Sequence, residues 1–166
     1  MKQIKAEEIT RNPFDLIHGN WGILTAGNEE AAGGMTISWG AVGYWLEKPS
    51  VTAYIRPQRN TKKFIDANDR FAISFLPEDM RNISTYFGSV SGADGTDKFA
   101  GAGAEKAYED GIPYIDGADM VFICRKVMEN VVDPSSFKDS SVDDQFFADK
   151  DYHTIYVAEI EKVLVK

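Results

Sequence analysis

Residues 51–63 read VTAYIRPQRNTKK and join a predicted β-strand to a short cationic segment. β-Branched and aromatic residues favour a strand over Val51–Arg56. Pro57 ends that strand, because proline has no backbone N–H to donate to a sheet ladder. The stretch therefore predicts a strand that leaves its sheet at Pro57 and is followed by a positively charged segment.

A helix is predicted directly after this cationic segment. Asn60 or Thr61 can cap a helix that runs to about Ala67, with Phe64 and Ile65 on its buried side. A second helix is predicted over Glu78–Phe87 from apolar residues at three- and four-residue spacing, and a helical turn is predicted around residues 97–99.

Strands outnumber helices in the rest of the chain. Five more segments are predicted to be extended: Trp21–Ala26, Met35–Trp45, Phe71–Leu76, Asp119–Val132 and His153–Ile160. Of these, Asp119–Val132 is either one long strand or a bent pair. Strands and helices do not alternate regularly, which argues against a Rossmann fold. We expect residues 1–166 to form a single, mainly β domain, a β-barrel with peripheral helices.

The remaining segments are interpreted as connections. Glycines indicate loops over Gly27–Gly34 and Gly88–Gly103. Lys48–Pro49 is expected to end the preceding extended segment. Asp133–Asp151 is expected to be irregular and solvated. Cys124 lies in an apolar run and is expected to be a buried structural thiol.

Charge and composition exclude several classes of function. The formal net charge is −8, from 18 basic and 26 acidic side chains, which argues against binding to nucleic acids or anionic membranes. Two histidines and one cysteine, far apart, argue against a metal site. The chain shows no signal peptide and no membrane-spanning stretch, so we expect a cytoplasmic protein.

The cationic segment is the strongest candidate for ligand binding. It carries Arg56, Arg59, Lys62 and Lys63 within eight residues, followed by a predicted helix start. Arginine forks, the Thr61 hydroxyl and a helix N-terminus are groups that hold a phosphomonoester. The alternative is a solvated turn whose lysines face water.

Three further features have open interpretations. The hydroxyls of Thr36 and Ser38 fall on one side of a strand, which can border a flat heterocycle or be half-buried with Trp39 in the core. The loop Gly88–Phe99 can line a ligand or be plain surface, and it contains no Walker motif. His153 can assist at a ligand pocket, cap a strand or be exposed.

These segments, in this order, resemble the flavin reductase-like family and its flavoredoxin-like members. The resemblance spans about Asn12 to Lys162. It depends on the following motifs: Asn12-Pro13, Leu24–Gly27, Met35–Gly40, Arg56–Thr61, Phe71–Phe75, Ser91-Gly92, Asp97–Phe99 and His153–Ile160. Each motif is weak alone, and their order and spacing carry the resemblance.

The resemblance implies an FMN-binding split barrel that forms a homodimer, with FMN near the subunit interface. It implies an isoalloxazine-side segment of Thr36, Ile37, Ser38 and Trp39. It implies a ribityl-phosphate segment of Arg56, Pro57, Gln58, Arg59, Asn60 and Thr61, closed by Ser89 and Ser91. Two positions depart from the family, which often has an aromatic residue in place of Asn60 and a cysteine in place of Phe87.

The function that follows is electron transfer through bound FMN, with NADH or NADPH as donor and a small molecule or protein as acceptor. The cofactor supplies the chemistry, so no catalytic residue is assigned. Two alternatives remain open. One is a non-enzymatic FMN-binding electron carrier or flavin-storage protein, and the other is a split barrel that has lost flavin and binds haem or pyridoxal phosphate.

Overall fold

The computed structural model describes all 166 residues and contains ten β-strands and four α-helices. The strands are β1 Lys2–Ile4, β2 Gly22–Gly27, β3 Ala32–Ile37, β4 Gly40–Trp45, β5 Lys48–Ile55, β6 Arg70–Phe75, β7 Lys106–Glu109, β8 Ile112–Ile115, β9 Met120–Val131 and β10 Thr154–Val165. The helices are α1 Thr61–Ala67, α2 Arg81–Ser89, α3 Lys98–Ala102 and α4 Ser141–Phe146.

One antiparallel sheet contains eight of these strands. Seven follow the order β3-β2-β6-β9-β10-β5-β4, and β1 pairs with the C-terminal part of β10. The two edge strands, β3 and β4, are joined in sequence by only Ser38 and Trp39. The sheet must therefore curl until its edges approach each other, but β3 and β4 do not pair. The result is a split barrel, as expected.

The alternating faces of the strands divide the core into two clusters. On β9, Met120, Phe122 and Cys124 belong to the cluster inside the barrel, whereas Val121 and Ile123 belong to a second cluster. The second cluster also includes residues of α2, α3 and β8, so those elements cover the outer face of the sheet. Burial on both faces explains why this strand is a continuous apolar run.

Two predicted boundaries are wrong for the same reason: the glycines and the proline that predict breaks lie inside strands. Gly33 and Gly34 lie inside β3, where a Cβ would clash with the rings of Phe64 and Phe87. These glycines permit close helix packing and do not form a turn. Pro49 lies near the start of β5, where proline is tolerated.

The predicted extended segment Met35–Trp45 is two strands, because the chain leaves β3 and enters β4 at Ser38–Trp39. A two-residue hairpin of Leu46 and Glu47, with φ of 51° and 59°, then joins β4 to β5. Positive φ at both central positions is the geometry of a type I′ turn. Neither residue is the glycine or asparagine that normally signals such a turn.

The other predicted elements are confirmed with shifted ends. The helix predicted over Glu78–Phe87 begins as a 3-10 turn and continues as α2 to Ser89. Asp133–Asp151 is not wholly irregular, since it contains α4. Cys124 is buried, and burial raises the pKa of its thiol, as expected for a structural residue. None of the helices has the length and apolar character needed to cross a membrane.

Candidate functional site

A continuous groove follows the split in the barrel. Its first part, the cationic cleft, has a volume of about 500 Å³ and lies between the α1 start, β3 and residues 89–99. A middle cleft of about 240 Å³ runs past residues 35–39, and an apolar pocket of about 730 Å³ lies beyond Trp39. Arg56 and Arg59 line both the cationic and middle clefts, and Trp39 and His153 line both the middle cleft and the apolar pocket.

The groove brings together nearly all the residues singled out in the sequence. The cationic cleft is lined by Arg56, Gln58, Arg59, Asn60, Thr61, Ser89 and Ser91. The middle cleft is lined by Thr36, Ile37, Ser38 and Trp39. Pro57 is exposed in the turn after β5 and lines neither cleft.

Positive charge without an internal partner is concentrated in the cationic cleft. Arg59, Lys63, Lys98 and Lys106 line it, and none of the four forms an ion pair with a carboxylate. Elsewhere most cations of this acidic chain are paired, as Arg70 is with Glu161. A cleft that keeps four unpaired cations in a chain of net charge −8 is suited to an anionic ligand.

Lys98 is the functional candidate that sequence reasoning missed. Its side chain is 9% exposed, and Nζ donates to the carbonyl oxygens of Gly34 at 2.9 Å and Phe87 at 2.7 Å. Burial, with a further contribution from Arg59, lowers the pKa of Lys98 to about 8. The sequence feature that could have drawn attention to Lys98 is the residue before it. The Asp97 side chain caps α3, so an ordered helix begins at Lys98 inside the glycine-rich loop.

Arg56 is already engaged by a carboxylate. Its guanidinium pairs with Asp151 and donates to the carbonyl oxygen of Phe146 at 2.9 Å. Gln58 Nε2 donates to the other oxygen of Asp151 at 2.7 Å. Hydrogen bonds from Gln58 and Arg56 lower the pKa of Asp151, so it stays ionised and competes with any anion for Arg56.

The start of α1 is hydrogen-bonded to the last turn of α2 and to the segment that follows it. Arg59 donates to the carbonyl oxygen of Gly88 at 3.0 Å, and the Asn60 amide donates to that of Gly92 at 3.1 Å. Asn60 therefore does not cap α1 with its side chain. Since α1 has only seven residues, the anion-binding capacity of this region rests on the cations rather than on a helix terminus.

The two serines at the end of α2 and just beyond it form local hydrogen bonds. The Ser89 hydroxyl donates to the carbonyl oxygen of Thr85 at 2.9 Å within α2. Ser91 Oγ accepts from the backbone N–H of Ala93 at 3.2 Å, which leaves its own proton free to donate. Of the two, Ser91 has the hydroxyl better placed to bind an anion.

At the segment Thr36–Trp39, which is expected to contact the isoalloxazine ring, the backbone of β3 offers the groups that can bind a ligand. The Thr36 hydroxyl donates to the carbonyl oxygen of Ser84 at 2.5 Å, and the Ile37 side chain is buried in the core. β3 is an edge strand, and Lys98 binds its Gly34 carbonyl on the unpaired side. Because backbone directions alternate along a strand, the N–H of Thr36 faces the same open edge.

His153 lies where the middle cleft meets the apolar pocket. Its ring centroid is 5.5 Å from that of Trp39 and 5.4 Å from that of Phe147. Burial, followed by the positive charge of Arg56, lowers the pKa of His153, so the imidazole is neutral at pH 7. The pairing of Ile55 with Thr154 explains this position, since it places the end of β5 beside the start of β10.

Comparison with known proteins agrees with this geometry. The family model described as "Flavin reductase like domain" matches residues 14–166. The chain belongs to the flavin reductase-like family. This membership gives it a flavin-related function. No curated protein sequence matches the chain.

Solved structures of flavin reductase-like proteins share the fold. An FMN-binding domain of flavin reductases-like enzyme from Shewanella baltica OS155 is 17% identical, with a TM-score of 0.69 over 98% of this chain and 75% of that one. Flavoredoxin from Methanosarcina acetivorans is 21% identical, with a TM-score of 0.68 over 100% and 76%. A Streptomyces globisporus NADH:FAD oxidoreductase, in complex with NAD and FAD fragments, is 19% identical, with a TM-score of 0.66 over 89% and 74%.

The groove of this flavin reductase-like chain fits a flavin mononucleotide in its chemistry. The unpaired cations of the cationic cleft match a phosphate, which carries a charge of about −1.5 to −2 at neutral pH. The open edge of β3 and the uncharged middle segment Thr36–Trp39 match a flat ring with a polar border.

Proposed function

We propose that this chain binds FMN along the groove and transfers electrons through it as a flavin reductase-like oxidoreductase. The observation that carries the proposal is the set of four unpaired cations in the cationic cleft, next to the open edge of β3. The phosphate occupies the cationic cleft and the isoalloxazine ring occupies the middle cleft. Bound FMN supplies the redox chemistry.

The protein contributes charge, orientation and backbone donors. Arg59 and Lys98 neutralise the phosphate, and the hydroxyls of Thr61 and Ser91 donate to its oxygens. The N–H of Thr36 faces the polar border of the ring, where a fixed donor stabilises negative charge on a reduced flavin. Arg56 joins the phosphate contacts to the extent that Asp151 releases it.

The electron donor in this proposal is NADH or NADPH, and the acceptor is a small molecule or a protein. The family membership and the NAD fragments bound by the Streptomyces relative support the nicotinamide donor. No group of the chain is assigned as a general acid or base, because hydride transfer from a nicotinamide to a flavin would need neither.

The visible spectrum of the purified protein and mass spectrometry of its released chromophore test the cofactor. We expect a flavin spectrum and the mass of FMN, either as purified or after incubation with FMN. A protein that takes up no FMN contradicts the proposal. Uptake of haem or pyridoxal phosphate instead assigns the groove to another ligand.

Anaerobic stopped-flow reduction tests the enzymatic part. We expect NADH or NADPH to bleach the bound flavin much faster than buffer does. Equal rates, in a protein that binds FMN tightly, contradict a reductase and indicate the non-enzymatic electron carrier.

We also propose that the chain is a homodimer, which exposed apolar side chains outside the groove support. Leu46 is 66% exposed and Val131 57%, and neither lines the groove, so packing against a second copy would remove their apolar surface from water. Sedimentation velocity of the purified protein is expected to show a dimer, and a monomer at high micromolar concentration contradicts this proposal.

A further inference from the structure

The apolar pocket differs in chemistry from the rest of the groove. Eleven of its sixteen lining residues are hydrophobic, and none is Asp, Glu, Lys or Arg. Trp39, Phe146 and Phe147 form an aromatic wall, with Trp39 and Phe146 edge to face at a centroid distance of 5.9 Å. The cationic cleft, at the other end of the groove, is lined by five cations. One groove therefore offers an anion site at one end and an uncharged site at the other.

Polar side chains without partners meet at the inner end of this pocket. Ser38, Tyr54 and His153 line both the pocket and the middle cleft. Their side-chain polar atoms make no hydrogen bond within the chain, and none of those atoms is sealed from the groove. His153 is only 6% exposed. These groups face the groove with free hydrogen-bonding capacity, so a ligand in the pocket can supply their partner.

We propose that the apolar pocket binds an uncharged aromatic quinone. Its ring system packs on the aromatic wall, and one carbonyl oxygen accepts hydrogen bonds from the Ser38 and Tyr54 hydroxyls or from His153. A phosphate or sulfonate on the ring would be buried without a cation, which is strongly unfavourable. The volume of about 730 Å³ is within the range of small-molecule sites.

The role of this ligand rests on the proposed function. If FMN occupies the middle cleft, the quinone lies beside it and is the electron acceptor. It would take two electrons and one proton from the anionic reduced flavin and a second proton from solvent, and would leave as the hydroquinone while the flavin returned to its oxidised form. Binding of the quinone itself depends only on the residues of the pocket.

Isothermal titration calorimetry with two matched quinones tests the proposal. The probes are 2-(hydroxymethyl)anthraquinone, which is uncharged, and anthraquinone-2-sulfonate, which carries one negative charge on the same ring system. Both are titrated into the protein as purified and into the protein saturated with FMN. We expect the uncharged probe to bind at least about tenfold more tightly, because the sulfonate would be buried unpaired. Equal affinities, or no saturable binding of the uncharged probe, overturn the proposal.

Val142→Lys places an ammonium group at the wall of the pocket, and Gln145→Lys adds the same charge to the exposed side of the same helix, α4, as a matched control. We expect Val142→Lys to weaken binding of the uncharged probe and to strengthen binding of the sulfonate by about tenfold or more. Gln145→Lys is expected to leave both affinities unchanged. An identical response of the two variants overturns the assignment to this pocket.

The outcomes separate this inference from the proposed function. Quinone binding without FMN uptake supports the quinone site and contradicts the proposal that the chain binds FMN. FMN uptake without quinone binding supports the proposed cofactor and overturns the quinone site. If Val142→Lys abolishes dimer formation in sedimentation velocity and neither probe binds, the pocket is covered by a second copy of the chain and the inference is overturned.

Discussion

The Nζ atom of Lys98 lies 2.9 Å from the carbonyl oxygen of Gly34, across the open edge of β3. This contact places a buried cation, held by two carbonyl oxygens and by no carboxylate, at the floor of the cationic cleft. A carbonyl oxygen neutralises none of the charge, so Lys98 remains available to an anion.

The pH dependence of FMN affinity follows from Lys98. Its pKa in the free protein is about 8, so it is charged below that pH and loses its proton above it. A bound phosphate raises the pKa of Lys98, so binding takes up a proton above pH 8 and the affinity falls as the pH rises. Fluorescence titrations between pH 7 and 9.5 are expected to show a Kd that increases by up to about tenfold per pH unit.

Lys98→Met is the control for this dependence, since it removes the charge and keeps an unbranched side chain. We expect weaker binding of FMN at pH 7 and a nearly flat profile between pH 7 and 9.5. A profile parallel to that of the unmodified protein would assign the pH dependence to another group.

Arg59→Ala is expected to reduce FMN affinity selectively. Loss of a charged hydrogen bond of about 1.5–3 kcal/mol corresponds to a decrease of about 10- to 150-fold. Riboflavin, which lacks the phosphate, is the matched ligand and is expected to bind both forms equally. Arg70→Ala removes a cation that is paired with Glu161 outside the cleft, so its FMN affinity is expected to stay unchanged. An equal loss for riboflavin would refute a phosphate contact.

Asp151→Asn is expected to strengthen FMN binding. The substitution removes the carboxylate that competes for Arg56 but keeps an oxygen that accepts a hydrogen bond. We expect the Kd for FMN to decrease by about three- to tenfold at low ionic strength, and the effect to diminish with added salt. Asp149→Asn, an exposed change of the same charge in the same segment, is the control. Weaker binding of FMN by Asp151→Asn would show that Asp151 positions Arg56 instead.

Cys124 is expected to react with thiol reagents only in the unfolded protein. It is completely buried inside the barrel, and burial raises the pKa of its thiol, so the reactive thiolate is scarce. Labelling with a disulfide reagent in increasing denaturant should follow the unfolding curve measured by circular dichroism. A protein with Cys124→Ser and Ser91→Cys places the thiol on the exposed loop and should react at once. Rapid labelling of Cys124 in native buffer would contradict the buried position.

Much of the secondary structure is predictable because strand patterns are local. The apolar run of β9 and the alternation of apolar and polar residues in β10 identify both strands from the local sequence pattern alone. The errors arise at residue types that are common in turns but also occur inside strands. Gly33 and Gly34 predict a loop by residue type, but they are needed where Phe64 and Phe87 pack on β3. The hairpin at Leu46 and Glu47 escaped prediction because it lacks the usual turn residues.

The candidate site is predictable where its chemistry is contiguous in sequence. Arg56–Thr61 carries two arginines and one hydroxyl within six residues, and the structure places five of those six at one cleft. Lys98 was not identified because a lysine in a glycine-rich loop normally faces water. Its burial depends on carbonyl groups of β3 and α2, which no local pattern reveals.

By itself, the sequence determined the mainly β character, the order of the strands along the chain and the cationic segment at the end of β5, since all three depend on neighbours along the chain. Only the tertiary structure decided which charges remain free. Arg56 is neutralised by Asp151, 95 residues away, whereas Lys98 is buried against Gly34, 64 residues away, without a carboxylate. Electrostatic interactions depend on distance in space and on burial, and curling of the sheet sets both.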